Sequence, residues 1–127
     1  MGQKKLDIQD TRSVQGMAAM GGGIASTGGT CGVIIGAAFC VGMLYGKENP
    51  EEGENPDLWR TSRSFYKRFL QEVTSGRVHC SEITGVDWSD KDQIKAFLKG
   101  EGRVRCAGYT GQGARILGEV LQRYNAE

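Results

Sequence analysis

The chain has 127 residues, 16 of them Lys or Arg and 15 Asp or Glu, for a formal net charge of +1. That length suits one domain with a usable core, so a single helical domain over 1–127 is expected. The near-neutral balance leaves no broad electrostatic footprint for nucleic acid. None of the four cysteines lies in a CxxC pair, so zinc-ribbon, thioredoxin-type and covalent c-type haem signatures are all absent.

Residues 1–10, MGQKKLDIQD, are polar and carry no apolar signal core. The sixth residue is Leu rather than the Ser or Thr of a myristoylation signal. The segment reads as a flexible arm of a cytoplasmic protein. In that compartment, widely spaced cysteines are more often free thiols, metal ligands or catalytic groups than structural disulfides. A short helix is expected over 11–20, capped by Asp10 or Thr11 and ended by Gly21, Gly22 and Gly23.

Residues 21–46, GGGIASTGGTCGVIIGAAFCVGMLYG, are the centre of the chain. A glycine-rich loop runs into Cys31 and then into an uncharged run ending at Gly46. With Thr30 as N-cap, Cys31 falls in the first turn of a central helix over about 31–45. Free N–H groups and the helix dipole there favour a thiolate, the form that ligates metals and attacks disulfides. The plainer alternative is a small buried residue in a core helix. The helix is apolar all round, which predicts burial on most sides. From Cys31 to Tyr45 it covers 15 residues, against the roughly 20 of a membrane span, so no span is expected. Gly32, Gly36 and Cys40 form one row of small residues and Ala38, Gly42 and Gly46 a second. Such rows let another helix approach closely, or let this one pair with its copy in a homodimer.

Residues 47–56 form a loop. Asn55 then caps, and Pro56 opens, an amphipathic helix carrying Leu58, Trp59, Ser62, Phe65, Tyr66, Phe69, Leu70 and Val73, stopped by Gly76. Its outer residues Arg60, Arg63, Lys67 and Arg68 read as a solvated face rather than a docking patch for an acidic partner. A helical turn at 81–84 follows, then a helix over 90–99 capped by Ser89, with Ile94, Phe97 and Leu98 toward the core. RVRC at 103–106 leads into a last helix with Ala114, Leu117, Val120, Leu121 and Tyr124 on its apolar stripe. No strand pattern occurs. The expected class is all-α, a compact bundle of about five helices around the glycine-rich central one.

Cys31 and Cys40 are nine residues apart, which on a straight helix is roughly 13 Å of rise and half a turn. That exceeds the Cα separation of about 7 Å that a disulfide tolerates. Cys40 therefore reads as structural, packing on the Gly32/Gly36 row. Cys31, Cys80 and Cys106 each lie near a loop–helix junction, from which three side chains can converge. His79, the only histidine, is a possible accessory group beside Cys80. The loops GGGIASTGGTCG and GYTGQGAR match neither GxxxxGK[ST] nor a strand-led GxGxxG, so nucleotide binding has weak support.

The glycine loop with CGVIIG, followed by FYKRFLQEVTSGRVHCSEITG and then Cys106, resembles the redox-active proteins named for a C–GCAxxG–C–C cysteine pattern. These are small, mostly helical proteins of bacteria and archaea, and the module is also similar to part of the split-Soret cytochromes. The resemblance covers about residues 14–125. It implies that Cys31, Cys80 and Cys106 match shared cysteines. It also implies that they hold an iron–sulfur cluster or another thiophilic metal, or cycle as reactive thiols, with a redox partner protein. The family's first cysteine belongs upstream of the glycine loop, where residues 1–30 contain none. Two other functions stand beside the redox or metal-binding one. The first is a non-catalytic helical interaction or dimerisation module with inert cysteines. The second is a ligand-binding domain using the glycine loops.

Overall fold

The computed structural model describes residues 3, 7 and 9–125, with side chains to residue 122. Most of the arm expected over 1–10, and the side chain of Tyr124, lie outside the described residues. The chain order is α1 (Thr11–Gly16), a 3-10 turn (Ala18–Met20), α2 (Gly32–Tyr45), α3 (Pro56–Phe69), a π-helical turn continuing it (Leu70–Thr74), α4 (Cys80–Thr84), α5 (Lys91–Lys99) and α6 (Glu101–Asn125). The class is all-α, with no strand among the described residues.

Local chemistry explains most of the boundaries. Asp10 caps α1, its carboxylate accepting from the Arg12 N–H at 3.0 Å. Asn55 caps α3 by accepting from the Asp57 N–H at 2.9 Å, and Pro56 fills the first helical position, where no N–H is needed. α5 is capped by Asp90 rather than by Ser89. The Ser89 hydroxyl is already committed, donating to Asp87 at 2.6 Å.

The core lies where α2, α3 and α6 meet. Ile34, Ala37 and Val41 of α2 pack against Phe65 and Phe69 of α3 and against Ile116, Leu117, Val120 and Leu121 of α6. Val41, Phe69 and Ile116 are fully buried. Gly113 is what lets α6 approach α2 so closely. A Cβ there would run into Val33 Cγ1. On the opposite, solvent side, Arg68, Glu72, Arg115 and Glu119 form a closed set of ion pairs joining α3 to α6, with Arg68–Glu119 at 2.6 Å. Arg60 pairs with Asp57 at 3.2 Å, so Arg60 and Arg68 of the basic α3 face are both paired within the chain.

Three expectations are corrected. Cys31 is the N-cap residue of α2 and not part of its first turn, because Thr30 is drawn into an antiparallel bridge with His79. Cys106 does not precede the last helix but sits inside it. α6 begins at Glu101 and runs for 25 residues through Gly102, Gly108, Gly111 and Gly113. Interior glycines cost a helix about 1 kcal/mol each, a cost that tertiary packing overrides here. Finally, α2 is not covered on most sides. Phe39 is 41% and Leu44 38% exposed, and Ala38 is exposed too, because α3 and α6 cover only one side of the helix.

Candidate thiol site

The glycine-rich loop is a rare left-handed turn. Gly22, Gly23, Ile24, Ala25 and Ser26 have successive φ values of 62, 71, 66, 53 and 58°. For Ile24, Ala25 and Ser26 that conformation costs roughly 1–2 kcal/mol per residue. A ladder of backbone bonds holds it: Ala25 N–H to Ala19 O at 2.7 Å, Gly28 N–H to Gly22 O at 2.9 Å, and Gly29 N–H to Gly23 O at 2.9 Å. The Thr27 hydroxyl donates to Gly23 O at 2.8 Å. The turn brings its own backbone hard against Cys80. A Cβ on Gly23 would lie 2.7 Å from Cys80 Cβ and 2.5 Å from the Gly29 nitrogen.

After the turn the chain pairs briefly with the segment before α4. Cys31 N–H donates to Val78 O at 2.9 Å and Cys80 N–H to Gly29 O at 2.6 Å, on either side of the Thr30–His79 pair. In an antiparallel pair, side chains alternate between faces. Cys31 and Cys80 therefore share one face, and Thr30 and His79 take the other. Burial follows the same alternation, for His79 is exposed and Cys80 only 9% exposed. Diagonal neighbours in such a pair have Cα atoms roughly 7–8 Å apart. His79, the candidate accessory group, is absent from the cleft described next.

Cys31, Cys80 and Cys106 all line one open cleft of about 540 Å³. Its other walls are the left-handed turn, Met17 and Met20 before it, α2, and Thr110, Gly113, Ala114 and Leu117 of α6. Cys40 lines it as well. Cys80 is pushed up from 9.0 to about 11, first by burial and then by the negative charges of Cys31 and Cys106. Hydrogen bonds from Thr84 and Trp88 oppose that rise. Cys106 is also raised, by burial and then by the charge of Cys31. At Cys40 the rise comes from burial, with no contribution from the other three thiols. So all four cysteines border the cleft, but only Cys31, Cys80 and Cys106 act on one another.

Trp88 has no part in the sequence reading of the site. Its indole N–H is buried with no hydrogen-bond partner, yet its position favours the thiolate of Cys80. Both statements fit one arrangement, since a thiol sulfur accepts weakly and an anionic acceptor strongly. The ring is fixed edge-on against Phe97, with centroids 5.3 Å apart. Met17 and Met20 could have been noticed from sequence as thioethers one turn apart beside the loop. Nothing in sequence signalled Trp88.

A cluster or single thiophilic ion needs its ligands gathered about one point. Among the described residues no group of three or more His, Cys, Asp or Glu is so placed. The three thiols share a cleft without being gathered into such a group. The chain belongs to the C_GCAxxG_C_C family: the family model described as "Putative redox-active protein (C_GCAxxG_C_C)" matches residues 1–120. No curated protein and no solved structure matches the chain.

Proposed function

We propose that this is a thiol–disulfide redox protein in which Cys31 and Cys80 are the exchanging pair and Cys106 is a third thiol beside them. The observation that carries the reading is the Thr30–His79 bridge, which sets Cys31 and Cys80 on one face at diagonal positions. A disulfide accepts Cα atoms up to about 7 Å apart, so a small backbone shift closes the bond. Cys31 is the half-buried, reachable member and Cys80 the buried one. Cys31 therefore meets the substrate and Cys80 resolves the mixed disulfide. Mapping disulfides by mass spectrometry after mild oxidation should give a peptide linking Cys31 to Cys80. Cys31→Ser should abolish that link and the fastest thiol labelling, and Cys40→Ser should change neither. Equal labelling of all four cysteines, or stoichiometric iron in anaerobically purified protein, would overturn the reading.

One observation favours a second role. Ala38, Phe39 and Leu44 leave α2 with an uncovered face that carries no polar side chain, next to exposed Trp59 and Tyr66 on α3. Phe39 also borders the thiol cleft, so self-association is tested at Leu44, which does not line it. Sedimentation would show a dimer that Leu44→Asp dissociates. A monomer at every concentration would remove this role.

A further inference from the structure

The cleft carries a statement about what it admits. The chain is 24% charged, yet no Asp, Glu, Lys, Arg or His occurs among the described residues lining the cleft. Its walls are mainly Val14, Met17, Met20, Phe39, Met43 and Leu117, while the polar side chains Gln3 and Ser13 donate to Asp10 and Thr110 donates to the Cys106 carbonyl. Two features keep it open. A Cβ at Gly21 would meet nothing within 4 Å, and one at Gly36 would meet only Met17 Cε, at 3.7 Å. About 540 Å³ lies within the range of roughly 300–1,000 Å³ typical of small-molecule sites. Methionine walls adapt to differently shaped apolar groups. A carboxylate drawn into such walls would lose its hydration and meet no cationic side chain among the described residues.

We infer that the substrate of the thiol site is a small, uncharged and mainly apolar disulfide, and that the cleft turns away anionic disulfides of the glutathione kind. This rests on the thiol–disulfide reading above. The Cys31 sulfur, as thiolate, attacks one sulfur of R–S–S–R. A Cys31–S–S–R bond forms, the substrate S–S bond breaks, and one R–S⁻ departs. The Cys80 thiolate then attacks Cys31 Sγ, forming the internal disulfide and expelling the second R–S⁻. The two protons from Cys31 and Cys80 end on the released thiols. The substrate is reduced by two electrons and the pair oxidised by two.

Two chromogenic disulfides test the inference: neutral 4,4′-dithiodipyridine and dianionic 5,5′-dithiobis(2-nitrobenzoate). Each reaction rate on native protein is divided by the rate on the same protein unfolded in urea, which removes the reagents' intrinsic difference in reactivity. The native protein should favour the neutral reagent by about tenfold or more, since the charged one must shed its hydration to enter. The preference should survive high salt, because it comes from desolvation and not from long-range repulsion. Gly36→Leu, which puts a side chain into the cleft, should erode it. An equal ratio for the two reagents, or a preference that disappears in high salt, would overturn the inference. Disulfide mapping of the same samples reports separately on the exchange reading. A Cys31–Cys80 link without the preference sinks the substrate class alone, and loss of the link sinks the reading beneath it.

Discussion

At the scale of single residues, the site depends on neighbours that have no motif. Trp88 is the sharpest case. Its buried N–H has no hydrogen-bond partner, and its position favours the thiolate of Cys80 over the thiol. Trp88→Phe keeps a ring against Phe97 and deletes the donor. A hydrogen bond to a charged group contributes about 1.5–3 kcal/mol, so the Cys80 ionisation constant should fall about tenfold or more in this variant, read by thiolate absorbance against pH. An unchanged titration would show that the indole only fills space. Cys31 and Cys80 were legible as site candidates from their loop–helix junctions and from the family pattern. Trp88 was not, because its role depends on a meeting in space that no spacing along the chain encodes.

At the scale of elements, the glycine loop was legible as a turn and illegible as a left-handed one. Three of its six left-handed residues, Ile24, Ala25 and Ser26, are not glycine. Residue type alone gives no warning of that, and only the backbone ladder holds them there. Gly23 is the position that tolerates least. It combines a positive φ with contact to Gly29 and Cys80. Gly23→Ala should lower stability by more than about 1 kcal/mol and slow disulfide formation, measured by urea unfolding and by oxidation kinetics. Ala25→Gly should do the reverse to stability, by up to about 1 kcal/mol, since it relieves left-handed strain at some cost in chain entropy. The start of α6 was misplaced for the opposite reason. Its glycines look like a loop, and the packing that stabilises them as helix, Gly113 against Val33 above all, lies outside the segment. The amphipathic helix α3 was read correctly because its apolar period, Asn55 cap and Pro56 agree with one another.

At the scale of the whole molecule, the all-α class and the single set of packed helices followed from the absence of strand patterning and from the long apolar stripes. The incomplete cover on α2 did not follow, since an all-apolar helix signals burial without saying how many neighbours are available. The tie between α3 and α6 makes a pH statement. Glu72 is held below its usual 4.5, chiefly by its hydrogen bond from Arg68, and Glu119 likewise by hydrogen bonds from Arg68 and Arg115. Groups held low in the folded state contribute stability that is complete above the unfolded value and is lost as pH falls through the folded one. The urea midpoint should therefore drop between about pH 5 and pH 3, and Glu119→Gln should blunt that drop. The effect should shrink in high salt, as expected for exposed pairs.

The Thr30–His79 bridge ties together two stretches separated by all of α2 and α3. A covalent bond beside it, from Cys31 to Cys80, would close a loop of about 50 residues and remove loop entropy from the unfolded chain, a gain of about 4 kcal/mol in the chain-entropy account. The oxidised protein should then melt well above the reduced one. Because the two states differ in how easily the chain opens, they also differ in how long they survive a protease. Oxidant supply would thereby set the lifetime of the molecule as well as its chemistry.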